Sequence, residues 1–439
     1  MAQVHPFAGW HYDFARVGSP AGILAPPYDV ISADQAERMR EGPYHVAHLI
    51  LGMPARGGQH APEAYEAAAA RCESFRRDRV IVRDPRPAFY RLSQTSTGPD
   101  GVTRTRHGLL VALRLHEFSE GVVLPHEETF SKPVADRLAL MRSTRMSFCS
   151  VFGLYDDPEG RVRGLVASSA GPELWRMTDS LGVHHAFARI DDPSAVAELR
   201  EALAPRRIFI ADGHHRYTAG LAYWKELGCP EPADTRNGAA ACVTACLADM
   251  RDSAVGLFPT HRLFGGHVEP DVSALPPGIE AERLPGDVSA RLVAERLLAM
   301  SVDGSACWAL VTPEAWWVLR VVDRSAVDAL MDASRGPAWR SLAVSILHGV
   351  VLPALLGPDA LHAAEEQGHI SYSPDADSVA AAVRTGAARL GVLVAPPALE
   401  QMRQVCESGE RMPHKTTYFY PKTLSGAVLR SLEGGVSDA

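Results

Sequence analysis

The stretch that decides the reading is Ile208-Phe209-Ile210-Ala211-Asp212-Gly213-His214-His215-Arg216-Tyr217. The apolar residues ahead of Asp212 predict a short buried strand, and Gly213 permits a sharp reversal or a positive φ. A helix is predicted to follow, from His214 through Trp224. Its first turn would carry two imidazoles and a guanidinium where backbone N–H groups lack partners and the macrodipole is positive. Cations there oppose the dipole unless an anion offsets them. Gly213, His214, His215 and Arg216 therefore read as a phosphate cradle. Asp212 is placed to orient a histidine, a hydroxyl or an amine. The alternative is an ordinary strand-to-helix turn with a basic surface start. The cradle reading predicts that Arg216→Ala weakens phosphate binding and leaves the fold intact.

Composition bounds the rest. A chain of 439 residues exceeds one typical core, so two or three domains are expected. A net charge of −8 argues against a broad nucleic-acid or membrane-binding surface, so any basic function is local. No apolar run approaches the roughly 20 residues of a membrane span. The opening Met1-Ala2-Gln3-Val4-His5-Pro6 has neither region of a signal peptide. The seven cysteines are scattered. Cys242 and Cys246, the closest pair, sit in the apolar run Ala239 to Leu247 and read as core residues rather than metal ligands. A reducing cytoplasm is the expected compartment. There is no internal repeat and no low-complexity segment.

Four other stretches carry chemistry. In Ala25-Pro26-Pro27-Tyr28-Asp29, the prolines extend the backbone and deliver Tyr28 and Asp29 at a predicted strand end, before a helix capped by Ser32 and Gln35. Asp29 reads equally as a functional carboxylate or a turn former. Pro125-His126-Glu127-Glu128-Thr129 brings an imidazole and two carboxylates soon after a strand, suited to Mg²⁺ binding or general-base work, or to a capped loop. Pro259-Thr260-His261-Arg262 repeats the anion-competent theme, although a simple turn explains it too. Met412 to Lys422 sets Lys415 beside Thr416 and Thr417, a point charge with small donors but without the glycines of a P-loop. Its aromatic trio suits packing equally, with Lys415 and Lys422 snorkelling. Residues 265–290, broken by glycines and prolines, are linker-like. A helix is predicted from Asp377 to Leu390, ended by Gly391.

Taken in order, these five strings resemble domain-of-unknown-function family 1015 over nearly the whole chain. The turn from Asp212 to Arg216, within residues 190–225, is similar to the nucleotide-binding turn of the ParB/sulfiredoxin superfamily, and to its free-serine kinases in particular. The resemblance implies an α+β fold of mixed sheets with helices, containing a ParB/sulfiredoxin-like nucleotide-binding core. The domains expected are an N-terminal α+β domain at 1–185, a ParB-like segment at 186–265 and a C-terminal α+β domain at 266–439. It further implies a phosphotransferase acting between a nucleotide, ATP or ADP, and a small hydroxylated metabolite such as free serine, with Mg²⁺. In that scheme His214, His215, Arg216 and Lys415 neutralise phosphate oxygens, with Gly213, His261, Arg262, Thr416 and Thr417 as further contacts. Glu127, then Glu128, then Asp29 are the candidates to accept the hydroxyl proton, beside His126. Asp212 would orient His215 or the substrate amine. The expected partners are the nucleotide and a small molecule, with no nucleic acid and no membrane. A phosphohydrolase acting on phosphoserine and a non-catalytic nucleotide-binding regulator are the rival expectations.

Overall fold

The computed structural model describes residues 1–51, 62–98, 101–169, 171–266, 268–285, 288–302 and 304–436. The protein is α+β, built of helices and mixed sheets, and its chain divides into two compact units. The first comprises Met1–Pro125, Thr129–Gly256 and Pro421–Ala439, the second His126–Glu128 and Leu257–Tyr420.

The first unit is organised by a nine-stranded sheet. Its strands are β1 (Val4–His5), β2 (Phe89–Thr97), β3 (Thr103–Arg114), β4 (Val123–Pro125), β5 (Val151–Tyr155), β6 (Glu173–Thr178), β7 (His184–Ile190), β8 (Ile208–Asp212) and β9 (Cys242–Asp249). The spatial order is β4-β8-β5-β9-β3-β2-β7-β6, with β1 beside β3. The pairs β4–β8 and β5–β9 are parallel and the others antiparallel, which makes the sheet mixed. β9 is buried along its whole length, as an apolar run without alternation should be, and Cys242 and Cys246 are core residues. Helices α1 (Pro62–Arg77), α2 (Ser131–Thr144), α3 (Arg161–Ser168), α4 (Pro193–Leu203) and α5 (His214–Glu226) belong to this unit. Leu199 and Leu203 of α4 and Tyr217 and Leu221 of α5 join the core cluster formed with Ile208 and Ile210.

Two expectations about segments meet the sheet differently. A boundary at 185/186 would cut β7, which pairs with β2 on one side and β6 on the other, so residues 186–265 are not a separate body. The chain after Pro421 returns to the first unit, where Arg430 and Ser431 pair with Ser147 and Met146. Tyr28 and Asp29 lie in a 3-10 turn rather than at a strand end, because Pro26 and Pro27 have no N–H to offer a ladder. β2 and β3 form a hairpin that pairs out to Thr97 and Thr103, with Pro99 and Asp100 of its connection outside the described residues. His267, Gly286 and Asp287 of the linker-like stretch also lie outside them.

The second unit contains an antiparallel sheet of six strands: β10 (His261–Phe264), β11 (Ile279–Arg283), β12 (Cys307–Val311), β13 (Trp316–Val321), β14 (Ile370–Ser373) and β15 (Leu390–Val394). Their order is β11-β13-β12-β15-β10-β14. The helix predicted to reach Gly391 stops at Arg384, and Leu390 and Gly391 enter β15. Gly386, at φ 77°, breaks the helix earlier. No single helix among the described residues is long and apolar enough to cross a membrane.

Candidate functional site

The turn between β8 and α5 forms as its residues dictate. Gly213 has φ 93°, and a Cβ there would lie 2.9 Å from the Cζ of Arg216. Glycine is needed twice, for its backbone and for its missing side chain. The start of α5 has no side-chain cap. Arg216, three residues beyond Gly213, folds back so that Nη2 donates to Asp212 Oδ2 and Nη1 to the Ser150 carbonyl. The guanidinium is therefore buried inside the turn rather than presented at its rim. Asp212 Oδ1 accepts from Lys422 Nζ at 2.5 Å. Burial would raise the Asp212 carboxyl, but Lys422, Arg216 and His214 outweigh it and hold it well below the usual range. Burial likewise works against charge on Arg216, and Asp212 reverses that.

Lys422, which its aromatic neighbours in the chain suggest is a snorkelling surface lysine, is instead part of this cluster. It is separated from Asp212 by 210 positions, and no local pattern connects them. What places it is a polar row on β7, β2 and β3. Gln94 Nε2 donates to the Lys422 carbonyl at 2.8 Å, and Arg106 Nη2 donates to the Pro421 carbonyl at 2.6 Å and to Gln94 Oε1. His185 Nδ1 lies 3.3 Å from Gln94 Nε2, and its Nε2 lies 2.9 Å from Asp179 Oδ2. Arg106 is fully buried over the Phe152 ring, 4.4 Å from its centroid, with Nε and Nη1 unpartnered among the described residues. Burial pulls its pKa down to about 10.

The Ala25–Asp29 segment lies in the same unit. Ala25 and Ser425 exchange backbone hydrogen bonds, and Ser425 Oγ donates to the Pro26 carbonyl at 3.2 Å. The Cys149 thiol donates to Ser425 Oγ at 2.9 Å. Arg137 stacks over the Tyr28 ring at 4.1 Å, and burial pushes the Tyr28 phenol up to about 12. Asp29 is exposed and close enough to Arg216 to help hold its charge. His215 Nε2 accepts the backbone N–H of Phe130 at 3.1 Å, so this face of the ring offers a lone pair rather than a cationic N–H.

The remaining candidates belong to the second unit. His126 is buried, with Nε2 2.8 Å from Thr417 Oγ1 and 3.9 Å from a Glu127 oxygen, and its carbonyl accepts from Met412 N–H. Glu128 and Lys415 are exposed, and Thr416 Oγ1 donates to the Pro413 carbonyl. His261 and Arg262, expected to form an anion-competent turn, instead start β10 between β14 and β15, and both are buried. His261 Nδ1 accepts Val394 N–H at 3.1 Å, and burial together with Arg262 lowers its pKa to about 4, leaving a neutral ring. Arg262 donates to the Thr260 carbonyl and lies 3.3 Å from His348 Nε2, and burial pulls it down to about 10. Among the described residues no three His, Cys, Asp or Glu side chains converge as a metal-holding group. A Mg²⁺ ion held chiefly by nucleotide phosphates needs only one or two carboxylates from a protein.

A family model described as "Protein of unknown function (DUF1015)" matches residues 4–345. No curated protein matches. Among solved structures, a free serine kinase in complex with AMP aligns at 15% identity and a TM-score of 0.36, covering 71% of this chain and 86% of its own. A variant of free serine kinase in complex with ADP aligns at 14% identity and a TM-score of 0.36, covering 71% and 87%. SbnI with a C-terminal truncation, from Staphylococcus aureus, aligns at 10% identity and a TM-score of 0.33, covering 75% and 88%.

Proposed function

The chain belongs to the DUF1015 family, and from that premise we propose that its first unit carries a phosphotransferase site. The reaction moves a phosphoryl group between a nucleotide and a small hydroxylated metabolite. Free serine is the first acceptor to try, on the resemblance of the Asp212–Arg216 turn to that of free-serine kinases. The observation that carries the reading is Asp212 shared between Arg216 and Lys422 at the start of a helix without a side-chain cap. A buried and a half-buried cation meet one half-buried carboxylate where the dipole is also positive, and a phosphate offsets both. Arg216 then acts by fixing the turn, whereas Lys422 and the first backbone N–H groups of α5 meet phosphate oxygens. Phosphoryl transfer needs this positioning and neutralisation more than covalent chemistry. Asp29 is the first unit's candidate base, and Glu127 and Glu128 are tested beside it by substitution to glutamine.

The test is incubation of the purified chain with Mg²⁺, serine and ATP or ADP, and separately with phosphoserine alone. Phosphoserine formed only with nucleotide supports transfer. Phosphate released from phosphoserine without nucleotide identifies a hydrolase instead. Nucleotide binding without turnover of any hydroxylated acceptor leaves a regulatory binder, and absence of nucleotide binding removes the proposal.

A further inference from the structure

Phe130 immediately precedes α2 and is 53% exposed. Its backbone N–H donates to His215 Nε2 at 3.1 Å, and its ring lies 18° from parallel with the imidazole, centroids 6.2 Å apart. Because Nε2 is an acceptor, a neutral His215 carries its proton on Nδ1, and an imidazolium could not keep this bond. His215 therefore serves here as an aromatic backing for Phe130 rather than as a phosphate-binding cation.

The two helices run in the same direction. Phe130 meets His215 where they begin, and Arg142 of α2 pairs with Glu226 of α5 near their ends, Nε to Oε2 at 2.9 Å. The exposed ring thus stands at the end of the helix pair where α5 offers its first N–H groups. A flat aromatic next to a cation-rich turn matches a ligand that joins a planar heteroaromatic ring to phosphate.

We propose that Phe130, backed by His215, is the stacking surface for the base of the bound nucleotide. The inference rests on the phosphotransferase reading and adds the half of the ligand that charge alone does not select. A phenyl face has no hydrogen-bonding code, so adenine and guanine nucleotides are both accepted.

Calorimetric titration of the full chain with ATP, with guanosine triphosphate and with inorganic tripolyphosphate tests it, on the native protein, Phe130→Ala and Phe130→Trp. Losing one base–aromatic stack weakens nucleotide binding by about 5- to 150-fold. Phe130→Ala is expected to show that loss for both nucleotides and none for tripolyphosphate, while Phe130→Trp binds nucleotide at least as well as the native chain. An unchanged nucleotide affinity in Phe130→Ala overturns the platform and leaves the phosphotransferase reading standing. An equal loss for tripolyphosphate also overturns it, because Phe130 then only supports the turn. If the native chain binds neither nucleotide nor tripolyphosphate, the underlying reading fails and the platform falls with it.

Discussion

Arg216 and Arg262 are both buried arginines in motifs that suggest anion binding, yet the protein treats them in opposite ways. Arg216 folds onto Asp212, which also holds Lys422, and its charge is reinforced. Arg262 meets a carbonyl and a histidine nitrogen, and burial draws its pKa down to about 10. The difference is the carboxylate at hydrogen-bonding distance. A buried cation with such a partner locks a local geometry, whereas one with neutral acceptors is held by packing and dipoles. The first arrangement can remain charged beside a ligand, and the second belongs to the interior of a strand.

The same substitution at both sites tests whether the carboxylate is the deciding partner. Arg216→Met strands part of Asp212's charge and should cost about 3–5 kcal/mol of unfolding free energy, the range for breaking a buried pair. Arg262→Met leaves neutral acceptors behind and should cost about 1–3 kcal/mol. Urea titrations of both variants measure this, and an equal or reversed order would show that the carboxylate is not the deciding partner. A loss of that size at Arg216 would run against the expectation that its removal spares the fold.

The lysines differ in the same way: Lys422 is held by Asp212, whereas Lys415 is exposed. Lys422→Met should weaken tripolyphosphate binding by about 1.5–3 kcal/mol, the worth of a charge-assisted contact. Lys415 is exposed, and Lys415→Met should change stability by no more than about 0.5 kcal/mol. Calorimetry on the two variants separates the lysine placed by the fold from the one conspicuous in the sequence. A larger binding loss at Lys415 would reverse their assignments.

pH tests a buried histidine of the same strand as Arg262. His261 is neutral in the fold because its pKa is lowered from 6.5 to about 4. Between those values the unfolded chain binds a proton that the folded one refuses, so stability is full above pH 6.5 and falls as pH drops towards 4. One such histidine contributes a slope of up to about 1.4 kcal/mol per pH unit. His261→Gln should flatten the stability profile in that window by about one proton, whereas an unchanged slope would place the proton uptake elsewhere. Asp212 acts at lower pH: its depressed carboxyl contributes stability above the unfolded value of 3.8, and that contribution is lost as pH falls further.

Elements with strong local signals are legible in the amino-acid sequence. The Ser32–Gln35 capping box and the strand–Gly213–helix turn both depend on neighbours in the chain. The misplaced helix end at Gly391 has the same source, since a glycine after an apolar periodic run satisfies a helix stop and a packed strand alike. There, a Cβ would lie 2.6 Å from Val379 Cγ1, and only the packed sheet supplies that reason for glycine.

From neighbouring residues alone it follows that a buried strand ends at Asp212, that Gly213 opens a helix and that Ser32 and Gln35 cap another. Those outcomes follow from backbone geometry and residues a few positions apart. Tertiary structure alone decided which charges meet. It turned Arg216 inward onto Asp212, buried His261 and Arg262 in a strand, and brought Lys422 across 210 positions by holding the 421 and 422 carbonyls with Arg106 and Gln94. The physical reason is that a charge's partner and solvent exposure are properties of a packed neighbourhood, and side chains on distant strands supply most of that neighbourhood.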